Sequence, residues 1–336
     1  MRLPSGAAMA AMASHATLMI AGFLGTVIAV ERAVAVRVGA AWIPPIASAL
    51  GALALLAGFD IAAHALLVVS AVGLAAVQVL VARRERGAPA FVMGVAAAAW
   101  LVGDVLAAMA RDPALVHAWW FAFLVLTVAG ERLELTRLQR RRGAPLMAFH
   151  AIVVLLLVGA ALISVAPDAG TFAYGVALLA LAGWLARCDV APRTLRIAGL
   201  GRYMALALMA AYAWLAVAGV AWCALALGAP VRDVALHALG IGFVLGMVLA
   251  HGPMIAPAIL RAKIAFGPWL YVPLVALHAT LVVRFAAPWA EGAWRTFGAG
   301  GNAAALALFV AAMMMGAARH HRSHGPTADA SVRVPR

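Results

Sequence analysis

The chain has 336 residues, of which 66% are hydrophobic and only 11% charged, and its mean hydropathy is +1.02. Ordinary domains are about 45–50% apolar and about 25% charged, so the composition excludes a soluble globular enzyme, a disordered chain and a disulfide-stapled scaffold. The formal net charge of +13 is compatible with a nucleic-acid binder until its placement along the chain is considered.

Apolar runs of spanning length, cut at charged clusters and at Gly/Pro turns, predict eleven membrane spans. They run from Met12 to Val30, Trp42 to Phe59, Ile61 to Ala82, Ala90 to Ala110, Leu115 to Gly130 and Leu146 to Val165. The remaining five run from Thr171 to Leu185, Met204 to Leu227, Val234 to Leu260, Phe266 to Ala286 and Asn302 to Ala318. The fold class is therefore an all-α polytopic helical bundle. Residues 1–318 read as one transmembrane domain, and 319–336 as a basic, disordered tail.

The loops test this count. Twenty basic residues fall on the side of Arg32, Arg132 and Arg187, and five on the other side: Arg2, Arg111, Arg232, Arg284 and Arg295. Basic loops are retained in the cytoplasm, so the bias predicts an N-terminus outside and a C-terminus inside, in a bacterial-type inner membrane. The lipid bilayer is the partner this implies. No nucleic-acid partner is expected, because the charge is distributed over cytoplasmic loops. The first apolar run leads straight into Glu31 and Arg32 and reads as a retained span. Cys188 and Cys223 fall on opposite sides, too far apart for a disulfide.

Ionisable groups inside a span are costly, so each is a candidate for function. On this topology His15, His64, His117, His237, His278 and Asp104 point to the outer layer. His150 lies near the inner start of span six. His251 is fourteen residues past His237, roughly 21 Å deeper on one helix. Imidazole ligates haem iron, copper and zinc. His15, His237, His251 and His278 are the candidate cofactor and metal ligands; interhelical hydrogen bonding is the alternative for each. Asp104 is a proton relay or a polar group paired with an arginine or a tryptophan N–H. Gly22 and Gly25 in span one, and Gly240, Gly242 and Gly246 in span nine, let a flat cofactor or another helix come close. His320, His321 and His324 read as part of a solvated tail.

Two local patterns recur. His-Ala begins spans one, five and nine, at His15, His117 and His237. Glu-Arg followed after four residues by Arg occurs at Glu31–Arg37 and at Glu131–Arg137. Helix-end anchoring explains the second pattern; an internal repeat of four helices explains both.

His15-Ala-Thr-Leu-Met resembles the early helix of haem-copper oxidase subunit I, where a His-Gly-x-x-Met segment carries a haem ligand. Leu236 through Gly246 resembles a His-Ala-x-x-x-Gly segment of NnrS, a haem- and copper-containing membrane protein linked to nitric oxide metabolism. The resemblance implies haem b, with copper as a second metal and a respiratory-chain electron donor as partner. His15 and His237 would lead the ligands, with His251 and His278 next. The chain lacks the His-Pro-Glu-x-Tyr segment and the late His-x-His pair of the oxidases, so oxygen reduction is not implied. No nucleophile motif, Walker A segment or His-Glu-x-x-His occurs, and the sequence does not decide whether the protein is an enzyme. The expectation is a haem-binding membrane protein of respiratory or nitric-oxide-related metabolism. Its alternatives are a small-solute transporter, favoured by prolines at spans two, nine and ten, or a non-catalytic subunit of a respiratory complex.

Overall fold

A computed structural model of the protein describes residues 14–136, 144–260, 263–286 and 293–323. Among these residues there is no strand. Eleven helices are long and apolar enough to cross a membrane: α1 His15–Val36, α2 Gly39–Leu56, α3 Asp60–Arg84, α4 Ala88–Ala108, α5 Pro113–Leu135, α6 Pro145–Leu162, α7 Pro167–Cys188, α8 Leu200–Ala226, α9 Arg232–Ile259, α10 Pro268–Ala286 and α11 Thr296–His321. The chain is a multi-pass membrane protein with the expected eleven spans in the expected order. Its outward faces carry the side chains lipid requires, such as Ile46, Leu53, Val154 and Val220.

The helices form two compact units. One comprises the described residues of Met1–Val190 with Ala216–Ala235, and the other those of Ala191–Leu215 with Leu236–Arg336. Neighbours in sequence pack as hairpins within the units, α2 on α3, α4 on α5, α6 on α7 and α10 on α11.

Turns are built economically. After α2, Gly58 takes φ +83°, its N–H reaches Leu55 O and the next N–H, of Phe59, reaches Ala54 O. After α8, Gly228 repeats this pattern with Leu225 and Ala224. This is the left-handed helix stop that glycine accepts without strain. Ala110 does the same after α4 at φ 51°, where a Cβ makes that conformation costly.

Helix ends differ from the sequence reading where charge was taken as a stop. α1 continues from Val30 to Val36 and α5 past Gly130 to Leu135, because their charges are paired. Arg32 Nη2 lies 2.6 Å from Glu131 Oε1 and 3.0 Å from Glu31 Oε1. The two Glu-Arg patterns thus interlock, the arginine of the first with the glutamate of the second. Arg132, only 2% exposed, makes a two-pronged bond to the fully buried Asp189: Nε to Oδ2 at 3.1 Å and Nη2 to Oδ1 at 2.9 Å. The final helix runs on to Ser323, so residues 319–323, expected to be disordered, are helical. Arg319 is fixed there over the Trp269 ring at 4.4 Å, a cation–π contact.

The prolines of span nine do not break it. α9 passes through Pro253 and Pro257. Proline 253 has no N–H, which deprives the Leu249 carbonyl of its usual helical donor. The Tyr203 hydroxyl of α8 donates to that carbonyl at 3.0 Å instead.

Candidate functional site

Among the described residues two spans contain π-helical runs, and they are the two led by the foremost histidines. In α1, three residues after His15, Leu18–Leu24 is π-helical. In α9, Ala238–Leu245 is π-helical, beginning at the residue after His237. The N–H of Gly25 reaches five residues back to Ile20 O, and that of Gly246 reaches Ile241 O. π-Helical runs are rare and concentrate at functional sites. In the first unit hydroxyls stabilise the widened turn. Ser48 of α2 donates to Ala21 O at 2.7 Å and lies 3.1 Å from Gly22 O, while Thr26 donates to Gly22 O at 2.6 Å. Span five, which shares the His-Ala pattern at His117, is an uninterrupted α-helix. The repeat therefore has a local structural counterpart in spans one and nine and none in span five.

His15 is exposed and His237 half-buried. His251 is buried, and its Nδ1 lies 2.9 Å from Met247 O one turn back. A carbonyl only accepts, so Nδ1 carries the proton and the neutral ring has its lone pair on Nε2. That is the tautomer and the backbone anchor a ligating imidazole uses. His278 is the opposite case: its Nδ1 accepts from the Trp214 indole N–H at 3.0 Å. His278 packs beside Gly246, so His237, His278 and His251 lie at three levels along α9. Gly246 is nine residues past His237 and five before His251, roughly 13 Å and 7 Å along the axis. Among the described residues no three His, Cys, Asp or Glu side chains gather where they could hold a metal ion. Copper or zinc with three protein ligands has no donor set there. Haem needs only one or two axial imidazoles, so the lack of a three-ligand group does not bear on it.

The glycines of spans one and nine do not line an open cradle. The space a Cβ would take at Gly22 is met by Ala52, at Gly25 by Trp100 and at Gly242 by Trp214. They are packing seams, the alternative that the sequence left open.

Asp104 is 1% exposed. Its Oδ1 accepts the Trp120 indole N–H at 2.7 Å, so tryptophan rather than arginine is its partner. Its Oδ2 has no hydrogen-bond partner among the described residues, and neither has Trp100 Nε1 one turn earlier. Trp100 stacks on Phe123 at 4.8 Å and 8°. His117 sits 6.2 Å from the Trp120 ring. His150 meets Phe149 edge-on, and His64 Nδ1 reaches Asp60 O at 2.8 Å. His320 and His321 lie on the last turns of α11, and His324 lies outside the described residues. Both cysteines are free thiols.

Sequence reasoning offered a tryptophan N–H for Asp104 without saying which, and did not single out Trp100 or Trp214, yet Trp100, Trp120 and Trp214 each sit against a site residue or a seam. The available signal was spacing: Trp100 and Asp104 are one helical turn apart.

Fold and polar interior together define a polytopic helical membrane protein. The chain belongs to the family described as Domain of unknown function (DUF8744), which matches residues 1–318. That match ends where the sequence placed the end of the transmembrane domain. No curated protein and no solved structure matches the chain.

Proposed function

We propose that this is a haem-binding integral membrane protein of respiratory or nitric-oxide-related metabolism, inserted N-out and C-in in a bacterial-type inner membrane. Its candidate axial ligands are His15 in the first unit and His237, with His251 next, in the second. The observation that supports this reading is the π-helical run following each of the two leading histidines. Such a run widens the helix and resets its register, which turns an imbalance of backbone bonding into control over where a side chain points. The Met247 carbonyl adds a fixed orientation for the His251 ring.

Bound haem would supply an iron that takes up single electrons or holds a diatomic gas. The chain's own residues hold the imidazoles in place. Ser48 and Thr26 secure the carbonyls of the first π run, and the Met247 carbonyl fixes the ring of His251. Asp104, anchored by Trp120, keeps a carboxyl oxygen in an apolar interior where a proton can be held or passed on.

The test is the colour and the reduced-minus-oxidised spectrum of detergent-purified protein. Wild type is expected to carry haem, and His15→Ala and His237→Ala to lose part or all of it. A wild type without haem, or both variants at wild-type content, overturns the reading. Colourless protein that moves a solute into liposomes would favour transport instead.

A further inference from the structure

The pair formed by His278 and Trp214 makes a different demand from the other histidines. An indole N–H only donates. At 3.0 Å from Trp214 Nε1, His278 Nδ1 must present its lone pair, since a proton there would meet the indole hydrogen head-on. The ring's one proton therefore sits on Nε2. That N–H is buried and has no partner among the described residues. Neither nitrogen then has a lone pair left for a metal.

We propose that His278 and Trp214 form the donor end of a binding site for the carbonyl oxygen of an uncharged, lipid-soluble ring molecule of the quinone class, and that His278 is not a metal ligand. Leaving a buried donor unmet is unfavourable, so an acceptor there has a use. Phe285, with its ring 5.7 Å from Trp214, and Gly246, beside His278 Cε1, give the pair apolar neighbours, which suit a guest with an apolar body better than water, whose burial takes two to four polar partners. An anion is equally unsuited, since one neutral N–H does not offset a charge placed in a span. What remains is a neutral oxygen on an apolar body. The lateral approach fits that guest. Val275 and Val282, three residues before and four after His278, share its helical face and are 63% and 55% exposed, so this stripe of α10 faces lipid. A quinone would reach the N–H from the bilayer and rest a flat ring against the aromatic wall of Trp214.

The test uses full-length protein in nanodiscs, with ¹⁵N-labelled histidine and a short-chain ubiquinone as probe. The resonance that disappears in His278→Leu is expected to report an Nε2–H tautomer and to shift when the quinone is added. His278→Leu should weaken quinone binding about tenfold, the worth of one hydrogen bond near 1.4 kcal/mol. His278→Gln, which keeps an N–H donor, should recover most of that loss. Trp214→Phe should let the ring exchange tautomers and weaken binding while leaving the fold intact. An Nδ1–H tautomer in the wild type overturns the proposal, as does quinone affinity equal in wild type and His278→Leu. So does the loss, in His278→Leu, of a bound metal that added imidazole restores. None of these readouts requires haem: a colourless protein would end the haem reading and leave this one standing or falling on its own.

Discussion

The costliest side chain in the first unit is Arg132, a guanidinium with 2% exposure in an apolar helix bundle. Its bond to Asp189 uses both carboxylate oxygens, and Asp189 Oδ1 also accepts the Val190 N–H at 2.7 Å. Removing one partner of a buried pair strands the other, at about 3–5 kcal/mol. Asp189→Leu should therefore lower the unfolding temperature in detergent sharply, and the double variant Arg132→Leu/Asp189→Leu should recover most of the loss. A double variant as unstable as the single one would contradict this. Asp104 provides a milder case. Asn at 104 keeps an oxygen for the Trp120 N–H and should be tolerated, whereas Ala leaves that N–H unmet and should cost about 1–3 kcal/mol in the same melting assay. At this scale the sequence was half legible. The Glu-Arg repeat drew attention to residues 31, 32 and 131, but not to their meeting one another, because a pairing across 99 residues leaves no local trace. The tautomers of His251 and His278 were invisible for a similar reason. They are set by a backbone carbonyl in one case and by a tryptophan 64 residues away in the other.

Among elements, the spans were the most legible, since hydrocarbon thickness dictates their length and any helix must satisfy its own backbone. The π runs were not. No periodicity announces them; in α1 the extra residue in the turn is stabilised by the Ser48 hydroxyl arriving from α2. Deleting Ile20 should relax Leu18–Leu24 to an α-helix and remove the widened turn next to His15. The expected outcome is a folded protein with reduced haem content, read as the haem-to-protein absorbance ratio; unchanged content would detach the π run from cofactor binding. Ser48→Ala should act more weakly in the same direction. The prolines teach the converse lesson. They were taken as breaks, yet Tyr203 restores what Pro253 removes, and Tyr203→Phe should expose that debt as a loss of about 1–3 kcal/mol in thermal stability.

For the molecule as a whole, the distribution of twenty basic residues against five predicts one orientation. A fluorescent-protein fusion at the C-terminus should glow and a secreted-phosphatase fusion there should be silent; the reverse would invert every statement about inner and outer ends. The division into two units was not legible, because α8 contributes its first part to one and its last part to the other within a single apolar run. The long-range ion pairs bear on how such a chain is made. Arg32 precedes Glu131 by 99 residues and Arg132 precedes Asp189 by 57. At about 5–20 residues per second, the ribosome takes several seconds to deliver each acidic counterpart. Each early helix must wait beside the insertion channel with its guanidinium still wet, so the membrane receives these segments in groups, released when their countercharges emerge.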